Sequence, residues 1–222
     1  MKNIILQHYT GITTPLEDFS IKNIKKYATK LNVEYKFIEG DVFDPSLTHP
    51  CQKLIMLDKQ FDDYDTVVMF DIDMFTRKGM NENIFEVPGI GMHTEFQASL
   101  HQKMKSRKPH LTNMNFPYWG GAVWKLTREQ RQLLRKGLGS WVKEFSGQYE
   151  DEGIMHRLAT LANFKPAEPY LPNNFHWCHC SYRKGIQSAA MIHIRTKVTP
   201  TGPTTLKINN YNNMVRQGLI EE

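Results

Sequence analysis

Apolar segments alternate with helix-forming stretches over the first third of the chain. That alternation narrows the possible folds more than any other feature. Ile4, Ile5 and Leu6 read as a first strand. Thr14-Pro15-Leu16-Glu17 reads as a helix start, with Thr as N-cap, Pro at the first position and Glu at the third. Leu16, Phe19, Ile24, Tyr27, Ala28 and Leu31 then line its buried face. Val33, Tyr35 and Phe37 alternate as a second strand, and a helix over roughly 49–60 carries Leu54, Ile55 and Leu57. Residues 65–70 form a third strand. This order predicts a mainly parallel sheet with helices on its faces.

The second half is less regular. "GIGMHTE" (89–95) and "GGAVWKL" (120–126) read as strands. Thr127-Arg128-Glu129-Gln130 is a capping box that opens a helix ending near Gly137 or Gly139. Asp151 begins another helix, with Ile154, Met155, Leu158, Leu161 and Ala162 apolar. "FHWCHC" (175–180) and "AAMIHIR" (189–195) suit strands, and the turn-rich residues 198–222 suit a surface tail. Trp119, Trp124 and Trp177 belong to the core or to a platform for an acceptor. With 222 residues and no repeat or linker, one domain spanning 1–222 is the economical reading.

Charge and cysteine content exclude several classes. Net charge is +5, and the densest basic stretch, "KMKSRK" (103–108), has no interleaved aromatics, which disfavours nucleic acid. No apolar stretch reaches the length of a transmembrane helix, and the apolar run at the N-terminus is too short for a signal-peptide core. Cys51, Cys178 and Cys180 cannot all pair, which suits a reducing, cytoplasmic compartment. "HWCHC" lacks the spacing of zinc knuckles, and alternating side chains along a strand explain it better.

"TVVMFDIDMFTR" (66–77) runs an apolar strand straight into two aspartates. In extended backbone, Asp71 and Asp73 would share a face, about 7 Å apart at Cα. Open α/β sheets bind ligands just past such strand ends. Two unpaired carboxylates there repel each other, and a hard divalent cation, Mg²⁺ or Mn²⁺, relieves the repulsion. A solvated turn is the plainer reading.

Two enzyme classes place Asp-x-Asp after an apolar strand. Asp-based phosphatases continue Asp-x-Asp-x-Thr/Val, but here the fifth position is Phe75 and Thr76 comes one place late. The other class is the GT-A nucleotide-sugar glycosyltransferases. The chain resembles their glycogenin/galactosyltransferase-like branch and small viral relatives, over most of its length to about residue 197. "VVMFDIDMF", "YWGGAVWKLTREQ" (118–130), "YEDEGIMHRL" (149–158), "YLPNNF" (170–175) and "IHIRTK" (192–197) carry the resemblance. Gly120 stands where the branch has a polar residue and Glu152 where it has Gln; the last element is one residue short and lacks its Gly.

The resemblance implies a Rossmann-like GT-A fold, a mixed sheet flanked by helices. Residues 1–75 would form the nucleotide-binding half and 76–197 the acceptor and catalytic half. It implies Mn²⁺ or Mg²⁺ held by Asp73, with help from Asp71, and by His193. The donor would be a nucleoside-diphosphate sugar of the UDP class, and the acceptor a glycan or other hydroxyl. His8, Tyr9, Thr10 and Gly11, ending the first strand, would contact the nucleoside, and Asp71 its ribose. Lys197 and Arg195 would bind diphosphate. Asp151 would serve an acceptor hydroxyl as base, with Glu150 and Glu152 as substitutes. Each has an ordinary alternative: a strand histidine, exposed cations, a helix N-cap. An Asp-based phosphatase and a non-catalytic nucleotide-sugar or glycan-binding domain remain the competing functions.

Overall fold

A computed structural model describes residues 1–87, 98–116, 118–145, 150–164, 176–196, 198–199, 202–203 and 205–221. The expected strand at 89–95, the "YLPNNF" segment and Lys197 lie outside the described residues.

Strand β1 (Asn3–Tyr9) is followed by helix α1 (Pro15–Lys30), β2 (Glu34–Glu39), β3 (Thr66–Phe70) and β4 (Met74–Thr76). Then come α2 (Ala98–Arg107), β5 (Val123–Thr127), α3 (Arg128–Arg135), α4 (Glu150–Leu161), β6 (His179–Cys180), β7 (Met191–His193), β8 (Val198–Thr199), β9 (Gly202–Pro203) and α5 (Lys207–Arg216). The main sheet has the order β2-β1-β3-β5. β1 runs parallel to β2 and β3, and β5 pairs antiparallel with β3. The sheet is therefore mixed but dominated by parallel pairing, and helices flank it.

Period-two alternation sorts the core. Ile4, Leu6, Val67 and Met69 pack on one face with Leu54, Met56, Leu134 and Leu158. Ile5, Val68 and Phe70 pack on the other with Ile24, Tyr27 and Ala28 of α1. β1 is buried on both faces because other elements pack on each side of the sheet there. Both expected capping boxes are present, at Thr14/Glu17 and Thr127/Gln130.

Two expectations are corrected and one is borne out. The segment read as a helix over 49–60 is a 3₁₀ helix, His49–Leu57, followed by a turn at Lys59–Phe61. His49 and Pro50 are exposed but Cys51 through Leu57 are all buried, so those seven residues have no polar solvent face, and packing rather than amphipathic winding sets their form. The second strand forms as its alternation predicts, with Tyr35 and Phe37 half-buried between exposed Glu34 and Lys36, and Ile38 is its one fully buried residue. The C-terminal stretch does not merely cover the surface: Tyr211, Met214 and Ile220 are buried with Leu16, Phe75, Ile192 and Ile194. The Tyr211 ring lies 5.1 Å from Phe19 and 5.0 Å from Phe75. Among the described residues, no helix is long and apolar enough to cross a membrane.

Candidate active site

β3 ends at Phe70, where its antiparallel partner begins at Val123. The chain does not stay extended through the two aspartates. It turns, with Met74 N–H donating to the Asp71 carbonyl at 3.2 Å. Asp71 N–H still donates to Ala122 O at 2.9 Å, so the turn is tied to the strand beside it. Buried Gln7 of β1 donates to Asp71 O (3.1 Å), and Ser20 of α1 donates to Met74 O (2.7 Å). Two core elements therefore fix this turn from below.

His193 reaches the turn through β-pairing. β4 and β7 are antiparallel with Met74 opposite His193, and Ile194 N–H donates to Asp73 O at 2.9 Å. The His193 imidazole Nε2 then sits 3.0 Å from Asp73 Oδ1 and 4.0 Å from Asp71 Oδ2. Cys178 Sγ lies 3.6 Å from the other ring nitrogen. One ligand atom from each of Asp71, Asp73 and His193 falls within 4.8 Å of the other two. Neighbouring ligands on an octahedral Mg²⁺-sized ion stand about 3 Å apart, so two carboxylates and an imidazole at these separations fit a hard divalent cation after small side-chain shifts.

Two lysines that sequence reasoning missed complete the arrangement. Lys53, from the 3₁₀ helix, donates to Asp71 Oδ1 (2.6 Å) and Gly121 O (2.8 Å). Its ammonium also lies 2.7 Å from Asp151 Oδ2 and 5.1 Å from the centre of the Trp124 ring. Burial opposes its charge, but Asp151 and Asp71 outweigh burial and hold the ammonium well above its ordinary pKa. A lone Lys inside "CQKLIML" was a usable signal, since an unpaired ammonium cannot stay in an apolar run. Lys207, the first residue of α5, pairs with Asp73 Oδ2. Burial would raise the Asp73 carboxyl; the His193 and Lys207 charges overcome it and keep the group below the usual carboxylate range. No local pattern marks Lys207.

Asp151 is in the first turn of α4 and is buried. Burial raises its pKa, Lys53 opposes the rise and Asp71 adds to it. The helix start expected at Asp151 is present, and its carboxylate is held by Lys53. Glu152 accepts from Gly121 N–H at 3.2 Å. Gly121 has to be glycine for space: a Cβ there would lie 2.2 Å from Asp151 Oδ2 and 2.9 Å from Lys53 Nζ.

These groups border one cleft of about 260 Å³. Among the described residues, its charged lining is Lys53, Arg195 and Lys207 against Asp71, Asp73, Glu150, Asp151 and Glu152, with His193. The excess of carboxylates favours a cation. His8, Tyr9 and Thr10 are not in that lining. They end β1 beside β2: His8 Nε2 lies 2.7 Å from Gly40 O, Tyr9 O accepts from Gly40 N–H at 3.0 Å, and Thr10 donates to Gly40 O at 3.4 Å. Burial lowers the His8 pKa.

No protein-family model matches the sequence, and no curated protein does. Among solved structures, the chain is similar to a glycosyltransferase involved in the glycosylation of the major capsid of PBCV-1. The TM-score is 0.56 at 9% identity, over 97% of this chain and 100% of the other. The chain has a glycosyltransferase fold. Within it, the Asp71–Asp73 turn follows the C-terminal end of a central parallel strand, where α/β sheets bind ligands.

Proposed function

We propose that the protein is a metal-dependent glycosyltransferase that moves a sugar from a nucleoside-diphosphate sugar, of the UDP class, to a hydroxyl of a glycan or similar acceptor. The observation that carries this reading is the convergence of Asp71, Asp73 and His193 in the cleft of a glycosyltransferase fold. Asp71, Asp73 and His193 would hold Mn²⁺ or Mg²⁺. When bound, the cation supplies positive charge to the leaving diphosphate. Arg195 and Lys207 line the same cleft and add positive charge for the phosphates, the planar fork of Arg195 suiting two oxygens at once. Lys197 is assigned to the diphosphate as well, and His8, Tyr9 and Thr10 to the nucleoside.

Lys53 holds Asp71 and Asp151 in fixed relation, so the cation site and the acceptor side of the cleft share one buried ammonium. Asp151 is assigned to the acceptor hydroxyl. Burial raises its pKa and strengthens it as a base, and the Lys53 ammonium works against that rise. Proton acceptance by Asp151 would leave the acceptor oxygen to form the new bond to the sugar carbon as the bond to the diphosphate breaks.

Calorimetry of UDP with Mn²⁺ and with EDTA tests the cation reading, and a panel of nucleotide sugars scored for UDP release tests transfer. UDP should bind tightly only with Mn²⁺. Equal affinity in EDTA would remove the metal from the reading, and no turnover of any donor would remove catalysis.

A further inference from the structure

Every oxygen of the Asp71–Asp73 pair faces a nitrogen of the protein, and one of those nitrogens differs from the rest. Lys53 is buried and shared between two carboxylates and a carbonyl, so it is a fixed part of the core. The Lys207 side chain is half-exposed, at 49%, and its ammonium pairs with Asp73 Oδ2. Its helix is anchored independently of that pair. Tyr211 and Met214 are buried, and Asn210 donates to Arg195 O at 2.7 Å. The ammonium can therefore leave Asp73 by side-chain rotation while the backbone stays in place.

The position of Lys207 is also electrostatically costly for a helix. It is the first residue of α5, whose first turn holds no acid, and a cation at a helix N-terminus opposes the helix dipole. Asp73 offsets that cost in the free protein. A phosphate group in the cleft would do so equally well, since helix N-termini and lysines both favour anions.

We propose that Lys207 is an exchangeable counter-ion: it neutralises Asp73 in the free protein and passes to a phosphate oxygen of the donor diphosphate when a divalent cation takes Asp73. The inference rests on the glycosyltransferase reading above and specifies how that site is filled. Lys207 competes with the cation when no nucleotide is present and assists it when one is. The cation and the diphosphate are thus coupled, each making room for the other, and the carboxylate pair resists stray divalent ions.

The test compares wild type, Lys207→Gln and Lys207→Arg by calorimetry with Mn²⁺ alone and with UDP at saturating Mn²⁺. Thermal melts check that each variant folds. Lys207→Gln should bind Mn²⁺ alone about fivefold more tightly or better, the lower end of ordinary coupling. The same variant should bind UDP with Mn²⁺ about tenfold more weakly, the loss of one charge-assisted hydrogen bond. Lys207→Arg keeps the charge and should stay near wild type in both. Unchanged or weaker Mn²⁺ binding in Lys207→Gln overturns the exchange, as does unchanged UDP affinity. If wild-type UDP binding ignores Mn²⁺, the metal reading itself fails and the exchange falls with it, whereas a Mn²⁺-dependent wild type with an unaltered Lys207→Gln removes only the exchange.

Discussion

Gly121→Ala adds one methyl group at the most crowded point of the cleft. Gly121 is not in the left-handed backbone region, so alanine meets no conformational penalty there. The whole effect comes from the new Cβ, 2.2 Å from Asp151 Oδ2, 3.2 Å from its Cγ and 2.9 Å from Lys53 Nζ. Oδ2 must retreat by about 1 Å to reach ordinary contact. Asp151 is nearly all buried, so it has little room to retreat and its ion pair with Lys53 stretches or breaks. Overpacking of this kind costs about 1–3 kcal/mol, and uncoupling a buried pair costs up to about 5. Lys53 keeps Asp71, so the sum should settle at about 2–4 kcal/mol. For a chain of this size that lowers Tm by roughly 5–15 °C. Denaturant melts of wild type, Gly121→Ala, Asp151→Ala and the double mutant measure it. Removing the Asp151 carboxylate removes the clash, so the double mutant should be more stable than the two single losses predict, by about 1–3 kcal/mol. A Gly121→Ala protein within about 0.5 kcal/mol of wild type, or strictly additive losses, would refute the steric account.

Other predictions concern the ligand set and a buried lysine. His193→Ala should weaken Mn²⁺-dependent UDP binding about tenfold or more while the protein still folds, with stability lowered by about 1–3 kcal/mol because Asp73 Oδ1 loses a partner. Calorimetry and melts on one sample separate the two effects, and wild-type Mn²⁺–UDP affinity would make His193 structural. Lys125 is buried and donates to Ile84 O and Val87 O at 2.8 and 2.9 Å, and burial lowers its pKa from an ordinary 10.5 to about 8. Between those values the unfolded chain binds more protons than the folded one, so stability should rise with pH from about 8 to 10.5, by up to roughly 3 kcal/mol. Melts of Lys125→Met across that range should lack this rise, and parallel curves for mutant and wild type would contradict a buried, depressed lysine.

Much of the architecture was legible in local pattern. Apolar alternation at Ile4–Leu6 and Val67–Phe70, and the two capping boxes, depend on neighbours within a few residues, and those elements formed where the pattern put them. The Asp-x-Asp pair, placed by the sequence just after a strand, lies at the C-terminal end of β3 and borders the cleft. The 3₁₀ segment was misread because its winding follows from burial on every side, which no period in "HPCQKLIML" encodes. Lys53 could have been suspected from its apolar neighbours, but its two partners could not.

By itself, the sequence determined β1, α1, β2, β3, β5, α3 and α4 and where the carboxylate pair enters the chain, because hydrophobic period and capping act over a few residues; it did not show α2, β4 or α5. Tertiary structure alone decided that the pair sits in a turn, that β4–β7 pairing carries His193 to it, and that Lys53 joins Asp71 to Asp151 past a glycine. It also decided that α5 returns Lys207 to Asp73. These contacts join residues far apart in the chain, and their energy comes from charge and space inside a shared cleft, where separation in sequence has no bearing on distance.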